Sequence, residues 1–319
     1  MNTFSCHELK NTAKRLLAER GSEPRRLVAI YAGVSTGVSL AVLVISFLLN
    51  RGIAETGGLS GLGTRSVLST IAVVLQVGVG LLLPLWTMGY KSATLCFARR
   101  GTQPSLLTGF QNFSPVFRLL VLKALILGLA AFLCLYPATI LFFMTPLAGP
   151  ANDILAPHVA AQTEASQLIQ DAETMAALQE AARPILLFFG GLLLLVAVPV
   201  FYRLRFAELA LMDDPQSGAR AALKKSLLLT RRRCKRLLTL DLSYWWYYLL
   251  SVAAALFAYG DSILSLLGIS LPVSATAAYF LFSLLHLALT FALAYVAQNQ
   301  VETTYALCYD AFANNSFPK

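Results

Sequence analysis

The chain is 319 residues long, 57% hydrophobic and 13% charged, with a formal net charge of +9. Soluble domains carry roughly 25% charged and 45–50% apolar residues, and a water-soluble core of this size cannot hide such an apolar excess beneath a polar surface. A soluble globular fold is thereby excluded, the bilayer is the natural solvent for the surplus, and the positive charge becomes a question of membrane orientation before one of nucleic acid.

Residues 1–26 are polar and basic. Phe4 to Arg20 suits a short amphipathic helix, with Leu9, Ala13, Leu16 and Leu17 on one stripe and Lys10, Lys14 and Arg15 beside it. Residues 27–49 follow with no charge in 23 positions. A spanning helix needs about 20 apolar residues, at about 1.5 Å each, to cross about 30 Å of hydrocarbon. The run is too long for a signal-peptide core and no small-residue cleavage site follows, so it reads as a retained first span. Within it Gly33 and Gly37 form a G-x-x-x-G pair, expected to let neighbouring helices of the same chain pack closely. Further spans are expected at 67–90, where Gln76 is the strongly polar interior residue, and at 119–145, with Lys123 near its start. The fourth is expected at 185–202, opened by Pro184, and the fifth at 237–259. The sixth is expected at 276–298, continuing as a helix towards Tyr309. Pro84, Pro137 and Pro199 lie inside spans, where kinked helices are tolerated.

The connections differ in character. Residues 50–66 are Gly-rich, but Gly58-Leu-Ser-Gly61-Leu-Gly63 lacks the strand–helix setting of a nucleotide loop. In 91–118, Leu106, Leu107, Phe110, Phe113, Val116 and Phe117 are spaced for an amphipathic segment lying on the surface. Residues 146–183 form the longest loop; its second half, 161–182, is rich in Ala, Gln and Glu and should be a solvated helix carrying Glu164, Asp171, Glu173 and Glu180. Residues 203–236 are strongly basic, and 260–275 hold no basic residue.

Lys and Arg collect on alternate connections: 22 of the 25 fall on the N-terminal segment, 91–123, 203–236 and the C-terminal tail, leaving Arg51, Arg65 and Arg183 on the other side. The positive-inside rule then puts both termini and the basic loops in the cytoplasm. The expected fold is an all-α polytopic transmembrane helical bundle of about six spans arranged as three helical hairpins, with short amphipathic interfacial helices. It divides into a cytoplasmic segment 1–26, a membrane domain 27–309 and a cytoplasmic tail 310–319. The inward-running spans share a helix-like tail: Tyr90-Lys-Ser-Ala-Thr-Leu-Cys-Phe, Tyr202-Arg-Leu-Arg-Phe-Ala-Glu-Leu and Val301-Glu-Thr-Thr-Tyr-Ala-Leu-Cys-Tyr.

The strongest local feature is the basic loop. Arg220, Lys224, Lys225, Arg231, Arg232, Arg233, Lys235 and Arg236 could contact anionic lipid headgroups, each worth about 1 kcal/mol beside an anionic leaflet; an ordinary topogenic cluster is the simpler account. A stripe this close to the membrane is already occupied by lipid, which excludes nucleic acid as a partner. Asp241 lies a few residues into the fifth span, where an ionisable group is a functional candidate by default. Tyr244, Trp245, Trp246, Tyr247 and Tyr248 follow at once; if they mark the inner aromatic belt, Asp241 sits in the headgroup layer in a structural ion pair with Arg203 or Arg205. His286, near the middle of the sixth span, is expected to hydrogen-bond across helices, with Gln76 as the mid-membrane neighbour if a polar site exists. Glu208, Asp213 and Asp214 are expected to pair with the surrounding cations instead of holding a metal. Cys6, Cys96, Cys134, Cys234 and Cys308 are scattered, without the spacing of a metal or redox pair.

Several strings resemble an uncharacterised bacterial membrane family common in Gram-positive organisms, the domain of unknown function 975 family: Glu8-Leu-Lys-Asn-Thr-Ala-Lys, Leu106-Leu-Thr-Gly-Phe, the run from Tyr202 to Pro215, and Ala221-Ala-Leu-Lys-Lys-Ser. The resemblance covers nearly the whole chain and implies a multi-span fold in the plasma membrane, with no activity or site residues to carry over. A more distant likeness is to the membrane domain of some glycerophosphodiester phosphodiesterases, without their catalytic part. No metalloprotease, nucleophile-elbow or phosphate-loop motif is present. The expected role is therefore a non-enzymatic accessory, scaffold or lipid-interacting membrane protein without cofactor or metal. Its expected partners are anionic lipids and a second copy or another membrane protein. The alternatives are a transporter or channel with a midplane polar site, and then a membrane-embedded lipid-modifying enzyme.

Overall fold

The computed structural model describes residues 6–55, 62–99, 101, 105–144, 149, 153, 172–260, 264 and 275–314. Among these the chain is helical, without strands. The helices are α1 (Cys6–Glu19), α2 (Glu23–Glu55), α3 (Leu62–Ala98), α4 (Thr108–Gln111), α5 (Phe113–Met144) and α6 (Ala172–Leu204). They continue as α7 (Ala207–Asp213), α8 (Gly218–Thr230), α9 (Cys234–Leu242), α10 (Trp245–Phe257), α11 (Ala275–Leu293) and α12 (Asn299–Asn314), with a π-helical turn (Ala294–Gln298) joining the last two. Five segments are long and apolar enough to cross a membrane: Glu23–Leu49, Ser66–Ala98, Phe113–Pro137, Leu187–Asp213 and Ala277–Asn314. The protein is thus an all-α polytopic bundle. The string 56–61, most of the loop 146–171 with Glu164 and Asp171, and most of 261–274 lie outside the described residues; 172–182 forms the start of α6.

The chain folds as two compact units, one of Met1–Leu120 with Phe206–Lys319 and one of Val121–Arg205. In the second, Cys134 and Ala130 are buried and the Cys134 thiol lies 3.7 Å from the Leu192 carbonyl, which joins α5 to α6.

In the first unit, α2 packs on α3 and on α11, and α11 on α10. The apolar stretches of these helices leave few of their side chains buried, as suits a lipid solvent. The tightly packed core sits elsewhere, at one end. Tyr90, Tyr244, Tyr309, Phe206, Leu85, Met88, Leu211, Leu237 and Leu240 are fully buried there. They come from the C-terminal part of α3, from α7 and the residue just before it, from α9 and α12, and from the turn before α10. Helix α1 closes this cap against α12, α3 and α9, while α4 lies on α3 and α8 on α7. Gly21, at φ +64°, ends α1 in the left-handed conformation that glycine adopts without steric cost.

Glycine also sets how α3 and α4 meet. A Cβ on Gly89 would collide with the Leu106 carbonyl oxygen, and one on Gly109 with the Leu85 carbonyl oxygen. The two backbones therefore touch directly. The segment around Leu106, expected to be amphipathic and to lie on the surface, is a partner of α3, with Gly109 itself buried.

Two expectations are corrected. The fifth segment is not one helix over 237–259: it breaks between α9 and α10, and α10, with 13 residues, reaches about 20 Å against the roughly 30 Å of a hydrocarbon core. The break is fixed by polar contacts described below. Gly33 and Gly37 do not bring described helices of this chain together either, since among the described residues nothing lies within 4 Å of where a Cβ on either would be. The packed face of α2 carries Val28, Tyr31 and Ala32, and the glycines point away from it.

The sixth segment keeps its helical path from Ala275 to Asn314, as its sequence predicts, and at about 60 Å it extends well past a bilayer core into the cap. One residue too many in the π turn rotates everything after it by about a hundred degrees, because each residue of an α-helix advances about 100°. That rotation turns Asn299, Thr304, Tyr305, Tyr309 and Asp310 towards the cap.

Candidate functional site

An ionic hub ties the cap together. Arg99, just past the end of α3, donates from Nε and Nη2 to Asp310 at 3.0 and 2.7 Å, and from Nη1 to Asp213. The same Asp213 carboxylate accepts from Lys225 Nζ at 2.7 Å and from the Tyr309 hydroxyl at 2.8 Å. Lys91 pairs with the buried Glu208. The hydrogen bonds to Asp310 hold the Arg99 pKa above its already high ordinary value, and Asp213 acts in the same direction against the cost of burial. Glu208 and Asp213 thus pair with cations, in keeping with their sequence setting. Arg99 and Asp310 stand 211 residues apart, and no local spacing announces them.

The break in the fifth segment is a second polar cluster. Tyr244 turns inward and is fully buried, its hydroxyl 2.8 Å from Thr304 Oγ1. The Tyr247 N–H bonds the Tyr244 carbonyl at 2.9 Å, so the Ser243 carbonyl loses the partner a continuous helix would supply. Lys10 of α1 donates to that carbonyl at 2.7 Å and places its ammonium 4.2 Å from the centre of the Tyr244 ring. Burial lowers the Lys10 pKa, with the Lys14 charge adding to the effect. Asp241 accepts hydrogen bonds from the Tyr248 hydroxyl at 2.6 Å and from the Tyr305 hydroxyl. Two of its partners are therefore phenols, while Arg205, one of the cations expected beside it, lies over the Phe201 ring.

The midplane pair separates. His286 is half-buried and donates from Nδ1 to the Ala254 carbonyl at 2.7 Å, the interhelical role expected of it. Gln76 is exposed on α3, and no hydrogen bond links it to His286. The polar neighbour proposed for His286 is thus not found.

The basic loop folds into α8, a tight turn and α9, and the structure sorts its eight cations into two groups. Lys225 and Arg233 are used inside the cap: Lys225 holds Asp213, while Arg233 donates to the Phe312 carbonyl at 3.1 Å and stacks over the Phe312 ring. These two members of the expected lipid-contact set thus have partners within the protein. Arg220, Lys224, Arg231, Arg232, Lys235 and Arg236 are exposed, and among the described residues their side chains make no hydrogen bond or ion pair. Leu227, Leu228, Leu238 and Leu242 are exposed between and beyond them, and Trp245 beyond those is 62% exposed.

At the turn, Arg231 is extended (φ −56°, ψ 123°), Arg232 has φ +63°, and the Arg233 N–H closes on the Thr230 carbonyl at 2.9 Å. This is the geometry of a type II turn, whose third residue is normally glycine or asparagine. Among the described residues Arg232 is the non-glycine residue with positive φ.

The strings that carry the family resemblance map onto this cap. Lys10 and Ala13 lie in the first, Gly109 in the second, Phe206, Glu208 and Asp213 in the third, and Lys225 and Ser226 in the fourth. Comparison with curated proteins and with solved structures gives no match. The family model described as "Protein of unknown function (DUF975)" matches residues 1–316, and the chain belongs to that family.

Proposed function

We propose that this integral membrane protein is a non-enzymatic, lipid-interacting protein of the bacterial plasma membrane. Both termini are then cytoplasmic, and the helical cap offers α8 and α9 to anionic headgroups of the inner leaflet. The observation that carries this reading is the division of the basic loop: six cations stay exposed and, among the described residues, without a partner, beside exposed leucines and Trp245. A merely solvated face would not need the apolar half. Interfacial helices combine a basic face with an apolar one, and each cation near an anionic leaflet adds about 1 kcal/mol. The orientation is supported by α1 packing on α12, which brings the N-terminal and C-terminal helices to the same end as the basic segments.

The test uses the full chain in detergent, titrated with phosphatidylglycerol and followed by native mass spectrometry. Replacing Arg220, Lys224, Lys235 and Arg236 by Gln removes four charges of about 1 kcal/mol each at most, so bound lipid should fall by at least tenfold even if only half of that is realised. Lipid occupancy unchanged in the fourfold variant overturns the proposal.

A further inference from the structure

The turn at the tip of the basic face is built against its own backbone preference. Position 232 takes a left-handed φ of +63°, at the third position of a type II turn, where glycine is free and a side chain crowds the preceding carbonyl. Arg232 nonetheless stands there, exposed, directly after the equally exposed Arg231. Neither side chain has a partner among the described residues, whereas Arg233, the next residue, is drawn into the cap by Phe312. If positive charge were the whole purpose, the flanking positions 231, 235 and 236 would supply it without strain.

We infer that Arg231 and Arg232 form a two-guanidinium clamp for the phosphate of an anionic lipid headgroup, and that Arg232 is the residue that gives the basic face its selectivity for phosphate. Consecutive Cα atoms lie about 3.8 Å apart, so two planar forks reach one phosphate, each able to donate a pair of parallel hydrogen bonds. A lysine at either position would bring charge but no fork. The occupant is a lipid and not free phosphate, because the clamp is flanked by exposed Leu227 and Leu228 on one side and Leu238 and Leu242 on the other, which a soluble anion would leave in water. The clamp rests on the lipid-binding reading of the same face but makes a narrower claim.

The experiment compares R232G, R232K and the charge control R236Q in the full chain in detergent. Each is measured for thermal stability and for binding of phosphatidylglycerol, oleate and inorganic phosphate. Glycine relieves the turn, so R232G should raise the melting temperature by about 2–4 °C. The same variant should lose about 30-fold or more in phosphatidylglycerol binding, against about fivefold for R236Q, the loss of one surface charge. R232K should keep oleate binding and lose phosphatidylglycerol binding nearly as far as R232G. Inorganic phosphate should leave the melting temperature unmoved where phosphatidylglycerol raises it.

Equal losses in R232G and R236Q, with R232K like the native protein, overturn the clamp and leave the broader basic-face reading standing. A lowered melting temperature in R232G also overturns it, since the arginine would then serve the fold. Phosphate alone matching the lipid overturns the choice of occupant. Failure of the fourfold Gln variant to lose lipid removes both readings together.

Discussion

Position 109 shows how one atom decides whether two elements can meet. A methyl group there would enter the Leu85 carbonyl, and one at 89 the Leu106 carbonyl. Overpacking against a side chain costs about 1–3 kcal/mol, and backbone yields less readily than a side chain. G109A should therefore lower the melting temperature in detergent by more than about 4 °C. A melting temperature equal to that of the native protein would show that α4 is not seated on α3. Gly109 stands in a string that resembles the family's, yet nothing in the local spacing says which carbonyl it faces. The same limit applies to the eight cations of the basic loop, which are equivalent in sequence. Lys225 and Arg233 differ from their neighbours only through Asp213 and Phe312, and Phe312 is 79 residues from Arg233.

For the helices, hydrophobic runs reveal where the chain can span and conceal where it bends. The apolar pattern predicts a helix continuing through Tyr309, and it does. The π turn escapes notice because an inserted residue alters register without altering composition. The break at Ser243 escapes for a related reason: its cause is a buried Tyr244, a phenol-bound Asp241 and a distant Lys10, while the sequence there reads as an aromatic belt on an unbroken helix. The π turn can be tested by removing its extra residue. Deleting Val296, which is 73% exposed and packs little, should restore the α register and swing Asn299, Thr304, Tyr305 and Asp310 off their partners. The expected result is a cap opened to trypsin at Arg99 and Lys225, with a much lower melting temperature. Native protease resistance in the deletion variant would show that the register shift carries no structural weight.

At the level of the whole molecule, composition alone gives the class, and charge placement supplies the expected direction. What composition misses is that the tightest packing lies at the ends of the spans and not between them. Exchange of side chains for lipid is nearly neutral within the hydrocarbon, so the spans can remain loosely exposed, while the cap must exclude water to be stable. Orientation is open to direct measurement in a cysteine-free background. Arg51→Cys and Arg183→Cys should react with a membrane-impermeant maleimide in intact cells, and Arg220→Cys only after permeabilisation. The reverse pattern would invert the topology.

The docking of α1 against α12 has a consequence in time. Roughly 280 residues separate the two helices, and at about 5–20 residues per second their synthesis takes on the order of 15–60 s. Throughout that interval the spans between them are being made while α1 has no α12 to rest on, and Lys10 waits for a carbonyl and a ring that are themselves still to be made. The cap can thus close only after the intervening spans have been made, although α1 precedes all of them in the chain. Its closure therefore requires that every membrane segment between α1 and α12 has emerged.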